Sequence, residues 1–110
     1  MRVVQAAVIK SVQAYLKSLN ANGFKISFGV LFGSQALGTA TEWSDIDLIV
    51  VSPDFDKEIQ CKTKDTLWQI AGRVDSRIEP VPCGIQRWQK DDYTPIIDIA
   101  RNEGQIVTGD

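Results

Sequence analysis

The sequence predicts an α/β (α+β) protein, a small mixed β-sheet with helices packed against it. Three observations predict this. Apolar residues recur at i, i+3 and i+4 in several segments, which is the period of a helix face. Short β-branched and aromatic runs lie between those segments. Glycine, proline and asparagine mark the boundaries between the two kinds of segment. The resulting order is helix, strand, helix, strand, helix, strand, helix, strand, the layering of a sheet covered by helices.

Val4, Val8, Val12, Tyr15, Leu16 and Leu19 fall on one helix face, and Asn22-Gly23 supplies a stop, so the first helix is expected over about 3–21. Phe24 to Phe32 is β-branched and aromatic, long enough for a strand and too short for a core helix. Gly33-Ser34 ends it, and Ser34 can cap a short helix over Gln35-Ala36-Leu37 that Gly38 terminates. Residues 39–44 read as loop. Asp45 to Val51 reads as the second strand, and Leu48 to Val51 is apolar on both faces, as in a central strand covered on both sides. Ser52-Pro53-Asp54 turns the chain. Ile59, Thr63, Leu67, Ile70 and Val74 then predict a helix over about 56–74.

Arg77 to Pro82 reads as a third strand. Pro80 and Pro82 both remove donors from the same side of it, because N–H groups two residues apart point the same way; this predicts an edge strand. Residues 84–93 read as a polar loop carrying Trp88. Pro95 opens a last helix over about 94–103 with Ile96, Ile97, Ile99 and Ala100, stopped by Gly104, and Gln105-Ile106-Val107 adds a short strand.

Composition bounds the function. The 110 residues suit a single domain, 1–110, with one modest core. Twelve basic and fourteen acidic residues leave a net charge of −2, so no basic field is expected to hold nucleic acid strongly. Histidine is absent, which excludes Ser-His-Asp and Cys-His catalysis and every histidine-containing zinc site. Cys61 and Cys83 are too few for an all-cysteine zinc site and read as reduced cytosolic thiols. No run approaches the ~20 apolar residues needed to cross a bilayer. The apolar stretch from Val3 to Ile9 is interrupted by Gln5 and closed by Lys10, so it reads as helix, and the chain as cytoplasmic with no membrane partner.

One constellation stands above this frame. Gly33-Ser34 ends a strand, and ten residues separate Ser34 from Asp45-Ile46-Asp47-Leu48 at the start of the next. Side chains alternate along a strand, so Asp45 and Asp47 share a face, about 7 Å apart. Two carboxylates that close repel unless a cation or a proton compensates them. Hard oxygen ligands select Mg²⁺ or Mn²⁺, and Mg²⁺ is usually completed by substrate phosphates. Gly33 lets backbone approach a ligand, Ser34 offers a hydroxyl, and the N–H groups of the short helix beyond face the same place, so a triphosphate could sit between this corner and the aspartates. Glu79 shares a strand face with Arg77 and Val81, and completes a third carboxylate if that strand lies beside the aspartates.

The run from Gly33-Ser34 to Asp45-Ile46-Asp47-Leu48-Ile49-Val50 resembles the signature of the DNA-polymerase-β-like nucleotidyltransferase superfamily, and in length the chain is similar to its minimal (MNT-type) members. The specific part covers 29–51, with a weaker extension through Glu79 and the segment from Ile99 to Val107. The resemblance implies two-metal transfer of a nucleoside monophosphate, AMP from ATP or another NTP, to an acceptor hydroxyl. It implies Asp45, Asp47 and Glu79 as catalytic metal ligands for Mg²⁺ or Mn²⁺, and Gly33 and Ser34 as the nucleotide-binding turn. It further implies an antitoxin paired with a HEPN-type protein partner, with the acceptor surface supplied by that partner or by a homo-oligomer.

The sequence departs from the family pattern at Gln35 and Leu37, where relatives often carry arginine, and in having Glu at 79 where many carry Asp. Two other readings stand beside the enzyme. One is a catalytically weak interaction protein that neutralises its partner by binding. The other is a module that senses Mg·NTP without turnover. Gly33-Ser34 alone would read as a plain turn, Asp45 and Asp47 as solvated loop acids, and Glu79 as a charge guarding a sheet edge. Trp68 reads as a helix packing residue, and Trp43 and Trp88 as loop tryptophans that could cover a site or a partner surface. Arg73 and Arg77 could contact phosphate but read first as members of surface ion pairs.

Overall fold

The computed structural model describes residues 6–37, 40–41, 44–90 and 94–109. Helix α1 spans Ala6–Ala21 and is followed by strand β1, Phe28–Phe32. One turn of helix, α2 (Ser34–Leu37), leads toward β2, Ile46–Val51. A 3₁₀ turn at Pro53–Phe55 precedes α3 (Cys61–Val74) and β3 (Ile78–Cys83). Helices α4 (Ile85–Lys90) and α5 (Pro95–Glu103) then lead to β4, Gln105–Val107. The strands form one sheet in the order β3-β2-β1-β4. β1 runs antiparallel to β2 and to β4, and β3 runs parallel to β2, so the sheet is mixed as expected.

The doubly apolar run in β2 has the predicted meaning. Leu48 and Val50 join one core cluster, and Ile49 and Val51 join another on the opposite face. The first cluster holds Val8, Val12, Tyr15, Leu16 and Leu19 of α1 with Leu67, Ile70 and Ala71 of α3. The buried Tyr15 hydroxyl donates to the Leu67 carbonyl at 3.0 Å, tying the two helices together. The second, smaller cluster places Ile97 and Ala100 of α5 against Val30, Ile49, Val51 and Cys83. Helices therefore lie on both faces, with the heavier layer on one side.

β3 lies at the edge of the sheet, as its prolines predict. The Ile46 N–H donates to the Arg77 carbonyl at 2.8 Å and the Ser52 N–H to the Cys83 carbonyl at 3.1 Å. Odd-numbered positions of this strand thus face β2, and Pro80 and Pro82 stand where their missing donors would point outward.

Several boundaries differ from expectation. Residues 24–27 are not strand. The Lys25 N–H is taken by the Asp54 carboxylate at 2.9 Å and the Ile26 N–H by the Asn20 side chain at 3.0 Å, so the chain first reaches β2 through the Ser27 N–H and is strand from Phe28. The third helix starts at Cys61, not near 56. Ser52 caps the 3₁₀ turn by accepting the Asp54 N–H at 3.0 Å. The Asp56 carboxylate accepts the Gln86 N–H at 3.0 Å, which draws this stretch toward α4.

The expected loop over 84–93 contains helix α4 instead. One of its first N–H groups is satisfied by Asp56, thirty residues upstream, an anchor with no local sequence mark. Trp88 therefore sits on a helix, half-buried and edge-on to Phe28 with ring centroids 5.9 Å apart. Trp68 is 51% exposed on α3 and does not pack in the core as expected. Trp43, Gly38 and the first residues of the expected opening helix lie outside the described residues. Neither Cys61 nor Cys83 is in a disulfide. Among the described residues no helix is long and apolar enough to cross a membrane.

Candidate active site

Strand register brings the acids together. Phe32 of β1 pairs with Asp47 of β2, and Asp47 pairs with Glu79 of β3. Paired residues point to the same face, so Phe32, Asp47 and Glu79 form a row across three strands, about 4.8 Å from strand to strand. Val30, Ile49, Val51 and Cys83 alternate onto this same face, where α5 covers them. The acidic row lies at the end of the face where β1 finishes and β2 and β3 begin. Asp47 and Glu79 remain half-buried there, and Asp45, one residue before β2, is exposed.

Glu79 is turned toward both aspartates. Loss of hydration, the charge of Asp45, and a hydrogen bond and charge from Asp47 together hold the Glu79 carboxyl above its ordinary range. In its neutral form Glu79 donates to the Asp47 carboxylate, so a proton offsets charge that would otherwise repel. Among the described residues no three histidine, cysteine, aspartate or glutamate side chains already converge as a complete metal-holding group. The donor set is nevertheless all carboxylate, and its members raise one another's cost of ionisation. That chemistry fits a hard divalent cation.

Gly33 closes the other side. Its φ is +70°, a left-handed conformation. A Cβ built there would lie 2.5 Å from Oδ2 of Asp47, so the Asp47 carboxylate occupies the space that a side chain at 33 would need. Gly33 and the Asp47 carboxylate thus lie against one another. Ser34 is half-buried at the start of α2. Because α2 is a single turn, any attraction it has for an anion comes from its individual N–H groups, since so short a helix has little macrodipole.

Gln35 was legible only as a position lacking arginine. In the structure its side chain is buried, at 3% exposure, and its amide donates to the Asp45 carbonyl at 3.3 Å. It therefore points at the backbone that carries Asp45. Burial of a polar side chain on a four-residue helix has no period in the sequence that would reveal it. Arg77 forms the expected ion pair, with Asp75 at 2.7 Å.

The sequence model of the nucleotidyltransferase domain matches residues 9–107 of this chain. Comparison with the curated proteins gave no match. Among solved structures, a provisionally assigned nucleotidyltransferase from Sulfolobus solfataricus is similar over 91% of this chain and 78% of that one, at a TM-score of 0.62 and 14% identity. A toxin–antitoxin structure with AMP-PNP is similar over 86% of this chain and 70% of that one, at a TM-score of 0.58 and 21% identity. At these identities the two structures speak for the fold.

Proposed function

We propose, for a chain that belongs to the nucleotidyltransferase domain family, transfer of a nucleoside monophosphate from an NTP to an acceptor hydroxyl. The observation that carries this reading is the contact of the Gly33 corner with Asp47, in a row with Glu79 and beside Asp45. The family expectation narrows the donor to ATP and the transferred group to AMP.

Asp45, Asp47 and Glu79 would hold Mg²⁺ or Mn²⁺. Such ions, when bound, acidify an attacking hydroxyl and neutralise charge on the transferred and leaving phosphates. The protein's own part is positioning. Gly33 and Ser34 offer backbone and hydroxyl to the β- and γ-phosphates next to Asp47. The acceptor oxygen forms a bond to the α-phosphorus, the bond from that phosphorus to pyrophosphate breaks, and pyrophosphate leaves with the electron pair. Glu79 takes the acceptor proton on a carboxylate oxygen.

The likeness to a toxin–antitoxin structure with AMP-PNP supports a role as the antitoxin of a HEPN/MNT-type pair in the cytoplasm, with a HEPN-type protein as acceptor. The acceptor surface comes from that partner or from a second copy of the chain. Incubation with α-labelled ATP, Mg²⁺ and the partner should label the partner. Asp45→Asn and Asp47→Asn should each lower labelling by at least about a hundredfold while the protein stays folded. Full labelling by either variant would overturn the assignment.

A second reading, an interaction protein that neutralises its partner by binding, is favoured by Gln35, which is buried against backbone rather than offered to phosphate. Co-expression of the Asp45→Asn chain with the toxic partner separates the two. Protection by the variant selects binding, and loss of protection selects transfer.

A further inference from the structure

Asp45 is the one acid of the site that no strand holds. β2 begins at Ile46, and Asp45 itself is exposed. The last rung of the sheet ladder therefore holds it on one side only. The peptide unit joining Asp45 to Ile46 is gripped at both polar ends. Its N–H, from Ile46, donates to the Arg77 carbonyl at 2.8 Å, and its C=O, from Asp45, accepts from Nε2 of Gln35 at 3.3 Å. A planar peptide held at both ends has a fixed orientation, and that orientation fixes the position of the Asp45 Cα from which the carboxylate extends. The first grip is backbone and needs no particular side chain. The second is supplied by one residue, and that residue also belongs to the helix that opens at Ser34.

We infer that Gln35 is a positioning residue for the acidic site: its buried amide locks the Asp45–Ile46 peptide and so joins the Gly33-Ser34 corner to Asp45. Resting on the transferase reading, this assigns Gln35 to placing a carboxylate, with no contact to nucleotide. Burial at 3% leaves its amide no access to a ligand in the open site, and strengthens a hydrogen bond made away from water. Neighbour Ala36 is buried at 2%, so α2 is packed down against the sheet and the amide has a fixed base from which to reach.

The test compares wild type with Gln35→Met, which keeps the length of the side chain and removes the donor, and with Gln35→Glu, which turns a donor into an acceptor facing a carbonyl. Circular dichroism first identifies the variants that fold. Two readouts follow on the protein alone. The ¹³C shift of the Asp45 carbonyl and the exchange rate of the Ile46 amide report the grip directly. Mn²⁺ affinity, measured by electron paramagnetic resonance, reports the placement of the acid.

Loss of the donor should shift the Asp45 carbonyl resonance, speed Ile46 exchange and weaken Mn²⁺ binding about tenfold, the usual size for loss of a group that orients a metal ligand. In transfer assays kcat should fall with little change in KM for ATP. Wild-type carbonyl shift and exchange in a folded Gln35→Met protein would overturn the inference, as would unchanged Mn²⁺ affinity where wild type binds and Asp45→Asn does not. Were wild type itself to bind no Mn²⁺ and transfer nothing, the transferase reading would fail, and the carbonyl and amide signals would still decide the role of Gln35.

Discussion

At Gly33 two demands meet in one residue. The backbone is left-handed at φ +70°, and the Asp47 carboxylate fills the place of a side chain. Gly33→Ala should therefore cost about 1–2 kcal/mol in denaturant unfolding from the backbone alone. It should also displace the Asp47 carboxylate and weaken Mn²⁺ binding, which separates it from an ordinary turn mutation. Tyr15 offers a second prediction at this scale. Removing its hydroxyl loses a buried bond to the Leu67 carbonyl, which keeps its partner within α3, so Tyr15→Phe should cost about 0.5–1.5 kcal/mol. Burial also pushes the Tyr15 phenol well above its ordinary value. The folded chain keeps this proton where the unfolded chain gives it up, so stability should fall as pH rises above about 10. The slope of that fall should shrink in Tyr15→Phe, as pH-dependent melting would show. Gly33, Ser34, Asp45 and Asp47 could be found in the sequence because a strand end, a fixed spacing and an apolar run must coincide there. Gln35 could not, because its importance lies in a bond to backbone ten residues away.

The elements that sequence periodicity resolves are those whose partners are close to regular. α1 shows its buried face at the helical period, and β2 shows two buried faces as an unbroken apolar run. α4 escaped because six residues are too few for a period and its N–H anchor comes from Asp56. The turn from α3 into β3 is fixed by Asp75, whose carboxylate receives two side-chain bonds from Arg77 at 3.0 and 2.7 Å. These bonds hold the Asp75 carboxyl below its ordinary range. Its stabilisation is therefore present above the unfolded value near pH 4 and is lost as pH falls through the folded one. With Arg77 partly solvated, Asp75→Asn should cost under about 1 kcal/mol at pH 7, and the difference from wild type should vanish in strong acid. A larger effect waits at the other end of the fold. A Cβ on Gly104 would lie 2.6 Å from Cγ1 of Val30 and 2.8 Å from the Leu31 carbonyl. Gly104→Ala should separate α5 from β1 and cost about 1–3 kcal/mol in thermal melting.

For the whole molecule, the site is a place where folding has left negative charge unrelieved. That charge raises the Glu79 carboxyl above its ordinary range, and a divalent ion would relieve it. Mn²⁺ at a hundred times its dissociation constant should add about 2.7 kcal/mol to stability. That corresponds to a rise in Tm of roughly 10 °C or more for a chain of this size, and the rise should be absent in Asp47→Asn. The mixed sheet with helices against it was legible as a whole because each strand announced its own cover. The register that lines up Phe32, Asp47 and Glu79 was not, because no feature of one strand states which residue of the next it will face.

The two lateral borders of the sheet are unequal. Along β3, Pro80 and Pro82 have no hydrogens to offer a newcomer, whereas β4 lies at the opposite border with three residues. A filament that lengthens without limit must add subunits at both margins, and among the described residues the β3 margin lacks the backbone donors to take one. Joining copies along the β4 margin uses it up, so growth by ribbon-to-ribbon addition stops at a pair.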